Sequence, residues 1–401
     1  MVKKDAHERV VVTGLGAVTP ISSSIDELTR GLLQGTKGFG PVARFDASQY
    51  AIDCAAEIRE PEGAKSLEGS RPSRLIQYAA DEAIEDSGLS GSLLRKRTGM
   101  VLGTGLGSDE INTAMWQEST GREQDLAAVI GSMASCGGRA VVDRYRLTGP
   151  SLTVVTACAA GTNAAGLGFD LIVRGRADRV IVGGLDTLTQ LTYGGFSSIG
   201  ALAEQCLPFS TERSGTVLGE NAAVLVLERM DLAMQRNARI YAEVLGYGLS
   251  NDAYHMTAPR SDGQGAKLSM LRCLAHANLA PEQVDYINAH GTGTVLNDEM
   301  ELLALQEVFG DHFPRLYISS TKSQIGHGLS SAGGIELIAS VLGLYHGFLP
   351  PTAHDRETMR ANPRQFVQGQ ALLAQAEVAV SNSFAFGGHC ASIAIKRWER
   401  D

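Results

Sequence analysis

A thiol, two imidazoles and an ammonium stand where a chain could use them for chemistry. Cys158 lies in Val154-Val155-Thr156-Ala157-Cys158-Ala159-Ala160-Gly161, where a β-branched run ends and an Ala/Leu-rich stretch begins. His290 lies in Asn288-Ala289-His290-Gly291-Thr292-Gly293-Thr294, and Lys322 and His327 lie in Ser319-Ser320-Thr321-Lys322-Ser323-Gln324-Ile325-Gly326-His327. A thiolate can accept an acyl group from a thioester. Two imidazoles can donate hydrogen bonds to the carbonyl of a second thioester, where loss of CO2 from a malonyl unit builds up negative charge. One histidine would suit hydrolysis by a cysteine. Two argue for stabilising an enolate that attacks the acyl-cysteine. A fourth segment, Asn382-Ser383-Phe384-Ala385-Phe386-Gly387-Gly388, carries a double glycine after aromatics, a tight loop able to expose backbone N–H groups as an oxyanion hole or to gate a tunnel.

Each signal has a plainer alternative. Free cysteines are often inert core residues, loop histidines are often only hydrogen-bonded, Lys322 could be a surface charge, and Phe384 and Phe386 could simply cap a turn. The common placement argues against all of these at once, because each segment follows an expected strand. Open α/β sheets put their sites beyond the carboxyl ends of strands.

The elements that must position these groups are legible as hydrophobic runs. Strands are expected at residues 9–13, 100–103, 153–156, 179–183 and 223–228, and again at 241–248, 285–289, 316–319, 377–381 and 391–395. Helices are expected at 159–172 and 331–344. Cys158 would then sit at a helix N-terminus, where free N–H groups favour the thiolate. The pattern gives an α/β fold of two duplicated five-stranded halves, residues 1–235 and 236–401, with an insertion of helices and loops over 104–146 in the first half.

Composition narrows the function further. The chain has 401 residues, enough for a large core, with 44 % apolar and 20 % charged residues as in ordinary globular proteins. A net charge of -9 argues against nucleic acid as a partner and requires any acidic partner to meet a local basic patch. The six cysteines are widely spaced with no CxxC pair, so neither a zinc site nor a disulfide framework is expected, and a reducing, cytoplasmic setting fits. Residues 1–5 are charged, so no secretory leader is expected, and no run of 18 apolar residues predicts a membrane span. No cofactor is implied: there is no phosphate-binding loop, and Gly14-Leu15-Gly16 lacks the further spaced glycine of a dinucleotide fingerprint.

The four segments, in this order and over nearly the whole chain, resemble the elongating β-ketoacyl-acyl carrier protein synthases. Asn251-Asp252-Ala253-Tyr254-His255-Met256-Thr257 is similar to the synthase II branch. The resemblance implies a thiolase-like layered αβαβα fold, acyl carrier protein as partner, and a dimer, either a homodimer or a heterodimer with a chain-length factor. It implies Cys158 as acyl acceptor, with its own N–H and that of Phe386 as the oxyanion hole. His290 and His327 would promote decarboxylation, and Lys322 and Glu301 would hold the array. Asp298, Thr292 and Thr294 belong to the same motif, Phe384, Gly387 and Gly388 to the gate around Phe386, and Arg71, or Arg74 in its place, to a carrier-protein docking patch. Asn163, Ser214, Thr216, Asn221, Ala385, His389 and Cys390 depart from the family pattern; Asn163 stands where histidine is frequent and Asn221 where glycine is. These departures lie where they could reshape the pocket, and they point to a polyene or polyketide pathway as readily as to fatty-acid elongation. A chain-length factor itself would lack Cys158, and a degradative thiolase would use a second cysteine as base where this chain has histidines.

Overall fold

The computed structural model describes residues 9–105, 133–359 and 365–399. Ten strands form its main sheet: β1 Val10–Val18, β2 Thr98–Thr104, β3 Ser151–Val154, β4 Arg179–Asp186, β5 Asn221–Arg229, β6 Ala242–Asn251, β7 Tyr286–Asn288, β8 Tyr317–Ser319, β9 Val378–Phe384 and β10 His389–Arg397. Each expected strand appears. The third ends two residues early, at Val154, because the chain must already turn at 155–157 to present Cys158.

The strand order is β8-β7-β9-β10-β6-β1-β5-β4-β2-β3. Read outward from the centre, β1-β5-β4-β2-β3 repeats as β6-β10-β9-β7-β8. The two half-sheets join only where Val10–Val12 pair with Ala242–Val244. In each half the three outer strands run parallel, so their carboxyl ends point the same way.

Six helices make the other layers: α1 Arg71–Ser87, α2 Cys136–Tyr145, α3 Ala160–Val173, α4 Gln264–Ala277, α5 Val295–Phe309 and α6 Ala332–His346. α1 covers β1 and β5, and α2 lies beside α1 and β2; on the other side α4 covers β6 and β10, with α5 against α4. α3 touches β2 and β4 of the first half and β6 and β10 of the second, while α6 touches β4 and β5 as well as β9 and β10. Both are therefore sandwiched between the half-sheets, which gives the five-layer αβαβα, thiolase-like arrangement. Burial explains their composition: every residue of α6 from Ala332 to Leu344 is buried, and a helix with no solvent face is apolar all round.

The middle helices approach unusually closely. A Cβ on Gly161 would lie 2.6 Å from the Gly334 nitrogen, so only glycine fits there. Cys158 precedes α3 and His327 precedes α6, and this glycine contact draws the two helix starts together. Of the insertion expected over 104–146, α2 is seen; residues 106–132 lie outside the described residues.

Candidate active site

Cys158 follows Ala157, whose φ of 46° is left-handed and unfavourable for a residue with a side chain. That turn aims the thiol into a cavity of about 310 Å³ whose walls include His290, His327, Thr292, Thr294, Phe384 and Phe386. The cysteine is 5 % exposed, and its sulfur receives the backbone N–H groups of Phe386 and of Cys158 itself.

The expected increase in thiol acidity is not found. α3 begins at Ala160, two residues beyond Cys158. Burial pushes the thiol up to about 12, and Lys322 and the two N–H groups offset only part of this. Removing a thiolate from water costs more here than the nearby donors return.

The two imidazoles face each other edge-on, with ring centroids 5.3 Å apart at 84°. Burial, followed by the Lys322 charge, holds both well below the usual histidine range, so both are neutral. Their tautomers follow from their partners. Leu329 donates its N–H to His327 Nδ1 at 3.3 Å, and Lys322 Nζ lies 3.3 Å from His290 Nδ1. An ammonium can only donate. Each Nδ1 is thus an acceptor, and each ring carries its proton on Nε2.

Glu301 accepts the N–H of His290 at 2.9 Å and of Gly291 at 2.8 Å, anchoring the histidine loop. Burial raises its carboxyl to about 7. Asp298 does the same one turn earlier, accepting from Phe209 at 2.7 Å and Gly293 at 3.2 Å, and its carboxyl is raised to about 6 by burial. The Thr292 and Thr294 hydroxyls are 2.9 Å apart on the cavity wall. Lys322 does not bond Glu301: its ion-pair partner is Glu336 on α6, with both side chains 1 % exposed. Glu336 was not singled out from the sequence, although a lone carboxylate inside an apolar helix is itself a signal that it has a buried partner.

The glycine loop is tied down. Gly387 donates to the Met256 carbonyl at 2.7 Å, Asn251 Nδ2 donates to the Gly387 carbonyl at 3.0 Å, and Asp252 donates its N–H to the Gly388 carbonyl at 2.8 Å. Gly387 and Gly388 take φ of 78° and 77°, which glycine alone adopts without strain. Phe386 stacks on Phe196 with centroids 5.3 Å apart, and Phe196 also meets His327 edge-on. Phe384 packs against His290. Phe196 gave no sequence signal, because its helix, Gln190–Ser198, carries no motif. Among the departures, Asn163 donates to Thr156 Oγ1 at 2.7 Å, and Ser214, Thr216, Ala385 and Cys390 line the cavity.

Arg71, expected in a docking patch, is turned inward. It is 9 % exposed and donates to both oxygens of the buried Glu220 at 2.7 and 2.8 Å, and to the Ile58 carbonyl at 3.1 Å. Arg74 donates to Glu60 at 2.8 Å and to the Gly69 carbonyl at 2.9 Å. Both arginines at the start of α1 thus meet acceptors of their own chain, and the Arg71–Glu220 pair spans 149 positions, which local sequence does not reveal. Removing one partner of a buried pair leaves an uncompensated charge, so R71M should lower unfolding free energy by about 3–5 kcal/mol in urea titrations. A raised KM for carrier protein with unchanged stability would mean that the arginine docks the carrier instead.

Comparison with known proteins agrees with the geometry. Residues 7–233 match the family described as Beta-ketoacyl synthase, N-terminal domain, and residues 241–356 match its C-terminal domain. The chain is 37 % identical to 3-oxoacyl-[acyl-carrier-protein] synthase 2 of Synechocystis sp., covering 98 % of this chain and 99 % of the relative. It is also 37 % identical to the Coxiella burnetii protein of the same name, covering 97 % and 98 %. Among solved structures it is similar to the ishigamide ketosynthase/chain length factor, with a TM-score of 0.91 and 33 % identity over 98 % of this chain and 99 % of that one. A type II polyketide ketosynthase in complex with its acyl-carrier protein and bound to the hexaketide gives a TM-score of 0.88 at 27 % identity, covering 98 % and 99 %.

Proposed function

The chain belongs to the β-ketoacyl synthase family, and from that premise we propose that it is an acyltransferase joining an acyl group held on Cys158 to a malonyl unit on acyl carrier protein by decarboxylative Claisen condensation. One observation carries this reading: a cysteine sulfur under two backbone N–H donors shares one cavity with two neutral imidazoles that both present Nε2–H.

The steps follow from these atoms. Cys158 sulfur attacks the carbonyl of an acyl-carrier thioester, and the oxygen that becomes negative receives the N–H groups of Cys158 and Phe386. The carrier sulfur leaves with the thiol proton, so a thiol held neutral by burial is spent only when substrate arrives. A malonyl-carrier thioester then places its carbonyl oxygen between His290 Nε2–H and His327 Nε2–H. The bond to the carboxylate breaks, CO2 leaves, and its electron pair forms an enolate stabilised by the two donors. The enolate carbon attacks the acyl-cysteine carbonyl, and Cys158 leaves as thiolate and regains a proton. Neutral imidazoles suit this role, since they donate without needing to lose a proton in the step. Lys322 and Glu301 act as positioning groups, Lys322 through His290 Nδ1 and Glu301 through the His290 backbone. Thr292 and Thr294 line the same cavity, where their hydroxyls can meet the carrier-borne substrate.

We take residues 1–235 as the nucleophile half and 236–401 as the histidine half. A cytoplasmic setting fits six free thiols and, among the described residues, the lack of any helix long and apolar enough to cross a membrane. A dimer fits the edge strand β3, where Leu152 is 40 % exposed and Val155, just past the strand's end, is 58 % exposed. Similarity to the ishigamide ketosynthase/chain length factor supports a second reading, in which this chain is the Cys-bearing subunit of a polyene or polyketide system and its partner is a chain-length factor. A panel of saturated, polyunsaturated and aryl-ended acyl carriers, each offered with malonyl carrier and read by intact mass, separates the two. Elongation of saturated donors by the purified chain alone supports the first reading. Elongation of unsaturated donors only after a partner subunit is added supports the second.

A further inference from the structure

Asp186 closes β4 and Asn221 opens β5, and the antiparallel register sets them opposite each other. Both are buried. The Asp186 carboxylate accepts the backbone N–H of Ser330 at 2.9 Å, and the Ser330 hydroxyl and Gly105 N–H add to the same carboxylate. Ser330 directly follows Leu329, whose φ of 51° is left-handed, a conformation that a leucine holds only when its surroundings over-determine it. Leu329 in turn supplies the N–H that occupies His327 Nδ1. Between them lies Gly328. A Cβ there would meet Asn221 Nδ2 at 2.2 Å and Ser331 Oγ at 2.5 Å, so the amide fills the space that a side chain at 328 would need. Neither amide atom of Asn221 has a hydrogen-bond partner among the described residues, so its contribution here is to occupy that volume.

We propose that Asp186 and Asn221 are positioning residues for His327: the carboxylate anchors Ser330 and the amide packs under Gly328, so the strained turn between them offers the Leu329 N–H to Nδ1 and keeps the proton on Nε2. Neither residue reaches the cavity, and both act through the turn. The inference rests on the reading of His327 as a hydrogen-bond donor in decarboxylation. It concerns what sets the tautomer, which the histidine motif itself does not determine.

The test uses the full chain as wild type and as D186A, D186N and N221G. It reads the His327 tautomer by 15N NMR, CO2 release from malonyl carrier protein, and Cys158 acylation by intact mass. D186A should slow CO2 release by about 10-fold, the low end of the range seen when the outer partner of a metal-bound histidine is removed, because Asp186 reaches His327 only through Ser330 and Leu329. It should also mix the His327 tautomers while acylation continues. D186N keeps an oxygen facing Ser330 and should lose less than D186A. N221G should shift the His327 signal in the same direction by a smaller amount, and it serves as the test if D186A does not fold. An unchanged His327 tautomer in D186A, or in N221G where D186A cannot be made, overturns the proposal. So do equal losses in D186N and D186A. A wild-type protein that releases no CO2 would instead remove the underlying functional reading, so the two failures are distinguishable.

Discussion

Cys158→Ala should abolish the acyl-enzyme and reduce condensation by on the order of 10³-fold or more, because the proposed mechanism holds the acyl chain on this sulfur between the two steps. The other cysteine that lines the cavity, Cys390, has its thiol engaged with the Gly388 carbonyl. Intact-mass analysis after incubation with acyl carrier reads the first effect directly: wild type gains one acyl mass and the variant gains none. CO2 release from malonyl carrier should continue in C158A, since it draws on the imidazoles and not on the sulfur. Acylation of C158A to the wild-type extent would move the nucleophile to another residue.

The second large effect is the mirror image. His327→Ala removes one of two fixed donors at the developing enolate and should slow decarboxylation by about 10²–10³-fold, the range for loss of a single oxyanion donor. Cys158 should still become acylated, because the proposed oxyanion hole is made by the Phe386 and Cys158 N–H groups, which lie at the Cys158 sulfur, and not by the imidazoles. Equal loss of both half-reactions in a folded variant would contradict this division of labour. The same electrostatics fix a pH dependence. Burial and Lys322 depress both histidines well below 6.5, so the neutral donor form persists as pH falls through that value. The 15N signals of His290 and His327 should therefore stay those of neutral imidazoles between about pH 8 and pH 6, even where Glu301, Asp298 and Glu336, whose carboxyls burial raises to about 7, about 6 and about 7, change the rate of decarboxylation in that range. A histidine transition centred on 6.5 would mean that one imidazole titrates like a solvated one.

Much of this was legible in the sequence because the signals were local. β-branched runs at fixed intervals located ten strands, and Cys158, His290, Lys322 and His327 were found because each follows one of them. The features that were not legible depend on burial or on distant pairing. The helix-start rule predicts an acidified Cys158, yet the desolvation that overrides it arises from the closing of two half-sheets around α3 and α6. Arg71 reads as a surface cation beside other basic residues, and only the fold brings Glu220 under it. Lys322 and Glu301 both bear on His290, but the carboxylate that neutralises Lys322 is Glu336 on α6, fourteen positions on in sequence, and the motifs do not point to it. Asn221 was visible only as a departure from a family pattern, and its reason appears in the space beside Gly328.

The most direct test follows the carbon atoms. Wild-type protein is given an unlabelled saturated acyl carrier and malonyl carrier whose three malonyl carbons are all 13C, and the carrier-bound product and the gas are weighed. The cavity described here predicts a β-ketoacyl carrier that keeps two labelled carbons, with the third released as 13CO2. Free fatty acid, or acyl transfer that gains no labelled carbon, would contradict it.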